Sequence, residues 1–282
     1  TAYEIGVRLV GSEMCIRDSF MTSSMSTIYF QLLGAISPTG RSVPWDESRD
    51  GFVMGEGTVY LVVEPLELAR ERGANIRWVV DGIGIANDGA HATQPDLEGT
   101  GARIAIDKAL SQAGASAGEY SVLNAHATST PFGDPVEYNV LKDYFPEGSH
   151  LYGNKSQVGH LMGASGLAEV VLGAEAMTQG WIPGNGGLVE PLGDEHFDFT
   201  FGPEERNYNR FLKTSFGFGE NGLGGCQDRC GGGQDRLGGC QDGLGIFQDG
   251  LGGHQDCLEC RQDRFHKVPT FFFHQVGQIW VW

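Results

Sequence analysis

The feature that most constrains this chain is a unit that occurs twice: a short apolar run, a polar loop carrying a histidine, then an apolar helical stretch. In the first copy, Ser121 to Ala125 predicts a strand that delivers His126. Asp134-Pro135-Val136-Glu137 then predicts a helix start, with Asp134 as N-cap, Pro135 at the first helical position and Glu137 reaching back as in a capping box. In the second copy, Leu151 to Asn154 leads into Lys155-Ser156-Gln157-Val158-Gly159-His160, and Ala164 to Thr178 is a largely apolar helix. Strand, loop and helix in alternation point to α/β layers. A lone histidine in such a loop is structural more often than not. Here one ring follows a lysine by five residues and the other precedes Thr128-Ser129-Thr130-Pro131, in Gly- and hydroxyl-rich loops of the kind that carry function. The pair points to chemistry.

The remaining chain supplies the layers and two stretches that do not fit them. Thr27 to Ile36 predicts a buried helix stopped at Ser37-Pro38-Thr39-Gly40. Thr58 to Glu64 predicts a strand, Pro65 opens a helix from Leu66 to Glu71 that ends at Gly73, and Ile76 to Ile85 predicts another strand. A polar loop follows at Asn87 to Glu98, then a helix from Gly101 to Ala113 with Ile104, Ala105, Ala109 and Leu110 inward. Residues 1–19 lack periodicity and are set aside as a non-native or disordered extension. From residue 223 to 282, Gln-Asp recurs at 227, 234, 241, 248, 255 and 262. The Gly, Cys and Arg spacers make no coiled-coil seam, so this is read as a disordered low-complexity tail closed by an apolar tag, Phe271 to Trp282. Cys257 and Cys260 with His254 and His266 imitate a zinc site, but the repeat itself generates their spacing; no metal is expected.

A length of 282 residues suffices for one large domain or two ordinary ones. The formal charge of -17 argues against a nucleic-acid surface and against docking on anionic membranes. No run approaches the length of a membrane-spanning helix. Glu4, Arg8, Glu13, Arg17 and Asp18 interrupt any signal-peptide core.

Four collinear stretches carry a resemblance: Arg49 to Gly57 (RDGFVMGEG), Asn124 to Asp134, Asn154 to Glu169, and Thr214 to Gly219. Together, over roughly residues 20–222, they resemble the elongating β-ketoacyl-acyl-carrier-protein synthases of the thiolase-like superfamily. The resemblance implies a layered α-β-α-β-α fold, incomplete here: residues 20–90 would end the first repeat and 91–222 would form most of the second. It implies an acyltransferase of fatty-acid biosynthesis, a 3-oxoacyl-acyl-carrier-protein synthase performing decarboxylative Claisen condensation. His126 and His160 would stabilise the enolate left when a malonyl thioester loses carbon dioxide. Lys155, with Glu169 as charge partner, would orient the site. Thr128 and Thr130 would bind the phosphopantetheine arm, and Phe218 would gate the pocket. Asp134 and Glu137 would serve only as helix caps. No cofactor is implied, since substrates ride on the phosphopantetheine of acyl carrier protein, the expected partner of a homodimeric enzyme. Its place would be the cytoplasm, or a plastid or mitochondrion in a eukaryote.

The departures from the family pattern matter as much. Ala127 stands where the family has Gly, tolerable unless the backbone needs positive φ. The Gln-Asp repeat displaces the strand after Asn221-Gly222, which would leave a sheet edge unpaired. No cysteine lies between Phe20 and Gly225, and Cys15 lacks the small residues of a nucleophile elbow. The chain by itself is therefore expected neither to form an acyl-enzyme nor to release carbon dioxide from malonyl thioesters. Two rivals stand beside this reading. One is a non-catalytic partner subunit like the chain-length-determining halves of polyketide synthases. The other is a thiolase, which takes coenzyme A and pairs its histidine with a second cysteine where this chain has His160.

Overall fold

The structure, a computed structural model, describes residues 13–19, 23–86, 96–217 and 277–281. In chain order the elements are β1 (Glu13–Ser19), α1 (Ser24–Leu32), β2 (Gly57–Val63), α2 (Leu66–Glu71), β3 (Gly82–Ala86), α3 (Thr100–Ala113), β4 (Val122–Asn124), α4 (Gly133–Tyr144), β5 (His150–Tyr152), α5 (Lys155–Val158), α6 (Ser165–Gln179), β6 (Trp181–Ile182), β7 (Asp198–Phe199), β8 (Glu204–Glu205), β9 (Leu212–Ser215) and β10 (Gly277–Val281).

Six strands form the main sheet in the order β3-β10-β9-β4-β5-β7. Its centre is parallel: β4 runs with β5 and with β9, and β5 with β7. Every residue of β4 and β5 is buried, as befits strands covered on both faces. Both predicted strand–loop–helix units are present, so both histidine loops leave the same end of adjacent parallel strands. That shared exit is what brings the two loops together, as open α/β sheets gather ligand sites beyond the carboxyl ends of their strands.

Helix α3 packs beside β3, and a core of Trp45, Tyr120, Leu123, Tyr138, Leu141 and Leu151 fills the space around α4. Helix α6 contributes Ala168, Glu169, Val170, Ala174 and Ala176 to the interior. Asn124, fully buried at the end of β4, donates from Nδ2 to the Glu169 carbonyl at 3.0 Å and ties that helix to the sheet.

Several expectations need correction. The strand expected over Ile76 to Ile85 begins only at Gly82. In α3 it is Ile106, 1% exposed, that faces inward, while Ile104 is 42% exposed. Helix α4 begins at Gly133 with Phe132 as N-cap and no side-chain cap, so Asp134 is not the cap and Pro135 lies two positions inside the start. Pro135 is still in the first turn, where its missing N–H has no intrahelical partner to lose. The segments set aside also enter the fold. Glu13–Ser19 pairs antiparallel with β2, and Gly277–Val281 inserts antiparallel between β3 and β9. The sheet edge beside β9 is thus occupied, by a run containing Ile279, Trp280 and Val281, residue types that favour strands. Among the described residues no helix is long and apolar enough to cross a membrane.

Candidate active site

The two rings meet edge to face beyond the sheet. The centroids of His126 and His160 lie 5.5 Å apart with their planes at 84°. Phe52 packs edge-on against His160 at 4.9 Å, and Phe216 against His126 at 5.6 Å. His126 is half-buried and His160 only 9% exposed.

On both rings the hydrogen bonds assign the proton. The Lys155 ammonium, a donor only, lies 3.3 Å from His126 Nδ1. That nitrogen must accept, so the proton of the neutral ring is on Nε2. The Met162 N–H donates to His160 Nδ1 at 3.1 Å, with the same consequence. Ser165 Oγ, 3.1 Å from His160 Nδ1, accepts the Leu161 N–H at 2.8 Å. Burial, reinforced by the charge of Lys155, holds both imidazoles well below the usual histidine value. The site therefore presents two neutral N–H donors.

Each ring reaches its place by a different route. His160 is held against the Arg49 to Gly57 stretch: its N–H donates to the Val53 carbonyl at 2.7 Å, and the Gly55 N–H donates to the His160 carbonyl at 3.0 Å. Gly159 precedes it at φ 75°, with a Cβ site 3.1 Å from Gly55 Cα, so a side chain there would be strained and crowded. His126 follows β4, and its N–H donates to Glu137 Oε1 at 2.8 Å and to Thr214 Oγ1 at 3.0 Å. The next N–H, that of Ala127, donates to Glu137 Oε2 at 2.8 Å. Ala127 adopts φ 45° and Ser129 φ 63°, so this loop does require the left-handed region that the Ala127 departure left in question.

Asp134 and Glu137, expected only to cap a helix, do something else. One turn apart on α4 and both buried, they face the His126 loop. Asp134 accepts the Trp45 N–H at 3.0 Å and the Thr130 N–H at 3.3 Å. Burial, opposed by the Trp45 donor and assisted by the nearby Glu137 charge, pushes Asp134 up to about 7. Burial likewise raises Glu137, against donors from Thr214, Ala127 and His126. Thr128 and Thr130 lie together, with hydroxyl oxygens 3.0 Å apart. The intervening Ser129 is not extended, and it turns inward to accept the Val43 N–H at 3.0 Å.

Lys155 and Glu169 are completely buried and paired at 2.6 Å. The Lys155 ammonium also donates to the His126 carbonyl. The other Glu169 oxygen carries a residue the motifs missed, Lys213, at 2.7 Å and equally buried. The signal for it was a lysine within Phe211-Leu212-Lys213-Thr214, a strand whose neighbours are all buried. Phe218, Cys226, Cys257, Cys260, His254 and His266 lie outside the described residues, and of Cys15 only the backbone strand is described.

Comparison with known proteins matches the chain to one family. The model of the β-ketoacyl synthase N-terminal domain matches residues 19–69, and that of the β-ketoacyl synthase C-terminal domain matches residues 78–188. A chloroplastic 3-oxoacyl-[acyl-carrier-protein] synthase II of Arabidopsis thaliana is 41% identical over 64% of this chain and 34% of its own length. The 3-oxoacyl-[acyl-carrier-protein] synthase 2 of Coxiella burnetii is 38% identical over 64% of this chain and 45% of its own length. The chain thus spans between a third and a half of these relatives. Among solved structures, a β-ketoacyl synthase from Burkholderia phymatum superposes with a TM-score of 0.69 at 31% identity, covering 74% of this chain and 52% of that one. A type II polyketide acyl-carrier protein in complex with its ketosynthase gives a TM-score of 0.67 at 26% identity, over 73% and 53%. With two domain models of one enzyme laid in order over more than half of its length, this chain belongs to the β-ketoacyl synthase family.

Proposed function

We propose that this chain supplies the malonyl-decarboxylating side of a 3-oxoacyl-acyl-carrier-protein synthase site. When malonyl thioester loses carbon dioxide, the electron pair of the broken C–C bond passes to the α-carbon and is shared with the thioester oxygen. Two neutral Nε2–H groups aimed at that oxygen stabilise the enolate, and a fixed donor of this kind is worth about 3 kcal/mol. The observation that carries the reading is that both Nδ1 atoms accept from N–H donors, Lys155 on one ring and Met162 on the other. In this reading Thr128 and Thr130, half-buried with hydroxyl oxygens 3.0 Å apart, hydrogen-bond the phosphopantetheine arm. The carbanion then attacks the carbonyl carbon of an acyl thioester, the C–S bond breaks and the thiolate leaves; the thiol that carries this acyl group is not among residues 20–225.

The partner under this reading is an acyl carrier protein, in keeping with the relatives' names and with the solved carrier–ketosynthase complex. The working unit is a homodimer, residues 20–90 belong to the first repeat and 91–222 to the second, and the compartment is whichever one houses the carrier: cytoplasm, plastid or mitochondrion. The chain alone forms no acyl-enzyme; stoichiometric acyl labelling lost on Cys15→Ala would overturn that.

The test is a chimera in which residues 19–217 replace the matching segment of one of the curated synthases. Carbon dioxide release from malonyl-carrier protein is expected in the chimera. His126→Ala and His160→Ala should each lower it about 100- to 1000-fold. Release that survives both substitutions together would sink the assignment.

A further inference from the structure

Two buried lysines share one buried carboxylate. Lys155 reaches Glu169 Oε1 at 2.6 Å and Lys213 reaches Oε2 at 2.7 Å, and none of the three side chains is exposed to solvent. One carboxylate cannot offset two ammonium groups, and unbalanced charge is costly away from water. A strand built for stability alone would place an apolar residue at 213, between buried Leu212 and Thr214.

The remaining contacts of Lys213 show what it holds. Its ammonium donates to the Ala125 carbonyl at 3.3 Å and to its neighbour's carbonyl at Thr214. Lys155 donates to the next carbonyl along, that of His126, and to Nδ1 of the ring. The two lysines, bridged by Glu169, therefore grip the carbonyls on either side of the His126 Cα. Burial lowers Lys213 to about 8 against the pull of Glu169. The titratable groups around it are Glu169 on α6, Lys155 on α5, Glu137 on α4, and His126 and His160 in the loops.

We propose that Lys213 is a positioning residue for His126: by anchoring Glu169 Oε2 and the Ala125 carbonyl, it keeps Glu169 Oε1 turned on Lys155 and Lys155 donating to His126 Nδ1. Its effect on catalysis is indirect, through the ring's Nε2–H, and it rests on the reading of His126 as an enolate donor. Lys213 touches no substrate atom in this scheme. His160 is independent of it, because a backbone N–H holds that ring.

The test uses the 282-residue chain with 15N-labelled histidine. Long-range 1H–15N correlation reads which nitrogen of each imidazole carries the proton. Lys213→Met, similar in length and uncharged, should show Nδ1–H alongside Nε2–H at His126 while His160 keeps Nε2–H alone. A single Nε2–H form at His126 in that variant would overturn the proposal. So would a change at both rings, which marks a general loosening. Where the variant does not fold, the unsubstituted chain carried upward through pH 8, as Lys213 gives up its proton, supplies the same readout and the same deciding outcomes. No malonyl thioester is involved, so a failure of the decarboxylation reading in the chimera stays separate from a failure here.

Discussion

Around His126 the holds are charged side chains and one hydroxyl: Glu137 and Thr214 on its N–H, Lys155 on its carbonyl and ring, and Glu169 and Lys213 behind them. Around His160 they are backbone groups and one hydroxyl: the Val53 carbonyl, the Gly55 and Met162 N–H groups and Ser165. Both arrangements leave the ring proton on Nε2. Backbone holds come with the chain path and carry no net charge, so they cost little and hardly respond to pH. Buried charges position a ring from several directions at once, but each depends on its partner's ionisation. The His126 side should therefore be where substitutions and pH act most strongly.

The largest effect is expected at Glu169. Glu169→Gln leaves two buried ammonium groups without a counter-charge, and losing one partner of a buried pair costs about 3–5 kcal/mol. Urea unfolding measures it, and a loss as small as that of a surface pair would break the contrast between the two loops.

Next comes pH. Asp134, which holds the Thr130 N–H of the His126 loop, has a folded value of about 7 against 3.8 in the unfolded chain. The folded chain keeps this proton over a range where the unfolded chain has lost it. Stability contributed here is therefore full below pH 3.8 and falls as pH rises towards 7, at about 1.4 kcal/mol per unit of difference. Asp134→Asn should flatten that slope in thermal melts across the window. A slope unchanged in the variant would place it elsewhere.

The smallest effects separate the loops by backbone. Gly159→Ala puts a side chain at φ 75° beside Gly55 and should cost about 1–2 kcal/mol. Ala127→Gly relieves a φ of 45° by a similar amount but gives up a buried methyl, worth about 0.8 kcal/mol, and adds unfolded-chain freedom. The two sides nearly cancel, so the Ala127 variant should melt close to the parent. A clear loss in it would mean that the left-handed turn at 127 carries little strain.

Much of this was legible in the residues because it is local. The run from Ser121 to Ala125 read as a strand ending at a histidine, the lysine five residues before His160 marked the second loop as chemical, and the family resemblance added Glu169 as the lysine's partner. The capping reading of Asp134 and Glu137 failed for a reason local pattern cannot supply. The same Asp-Pro-Val-Glu that begins a helix also aims two carboxylates at a loop, and the choice depends on donors as far away as Trp45 and Thr214.

What the sequence determined by itself is the set of parts: two histidine loops, each between a short apolar run and a helix, and, through the family resemblance, the lysine and glutamate that accompany them. Only the tertiary structure decided that Glu169 serves two lysines, that Ala127 must turn left-handed, and that Glu137 anchors the N–H of His126 together with Thr214, 88 residues from that histidine. Hydrophobic period and turn chemistry are written in neighbouring residues, whereas the partner of a buried charge is whatever the folded sheet brings within 3 Å of it.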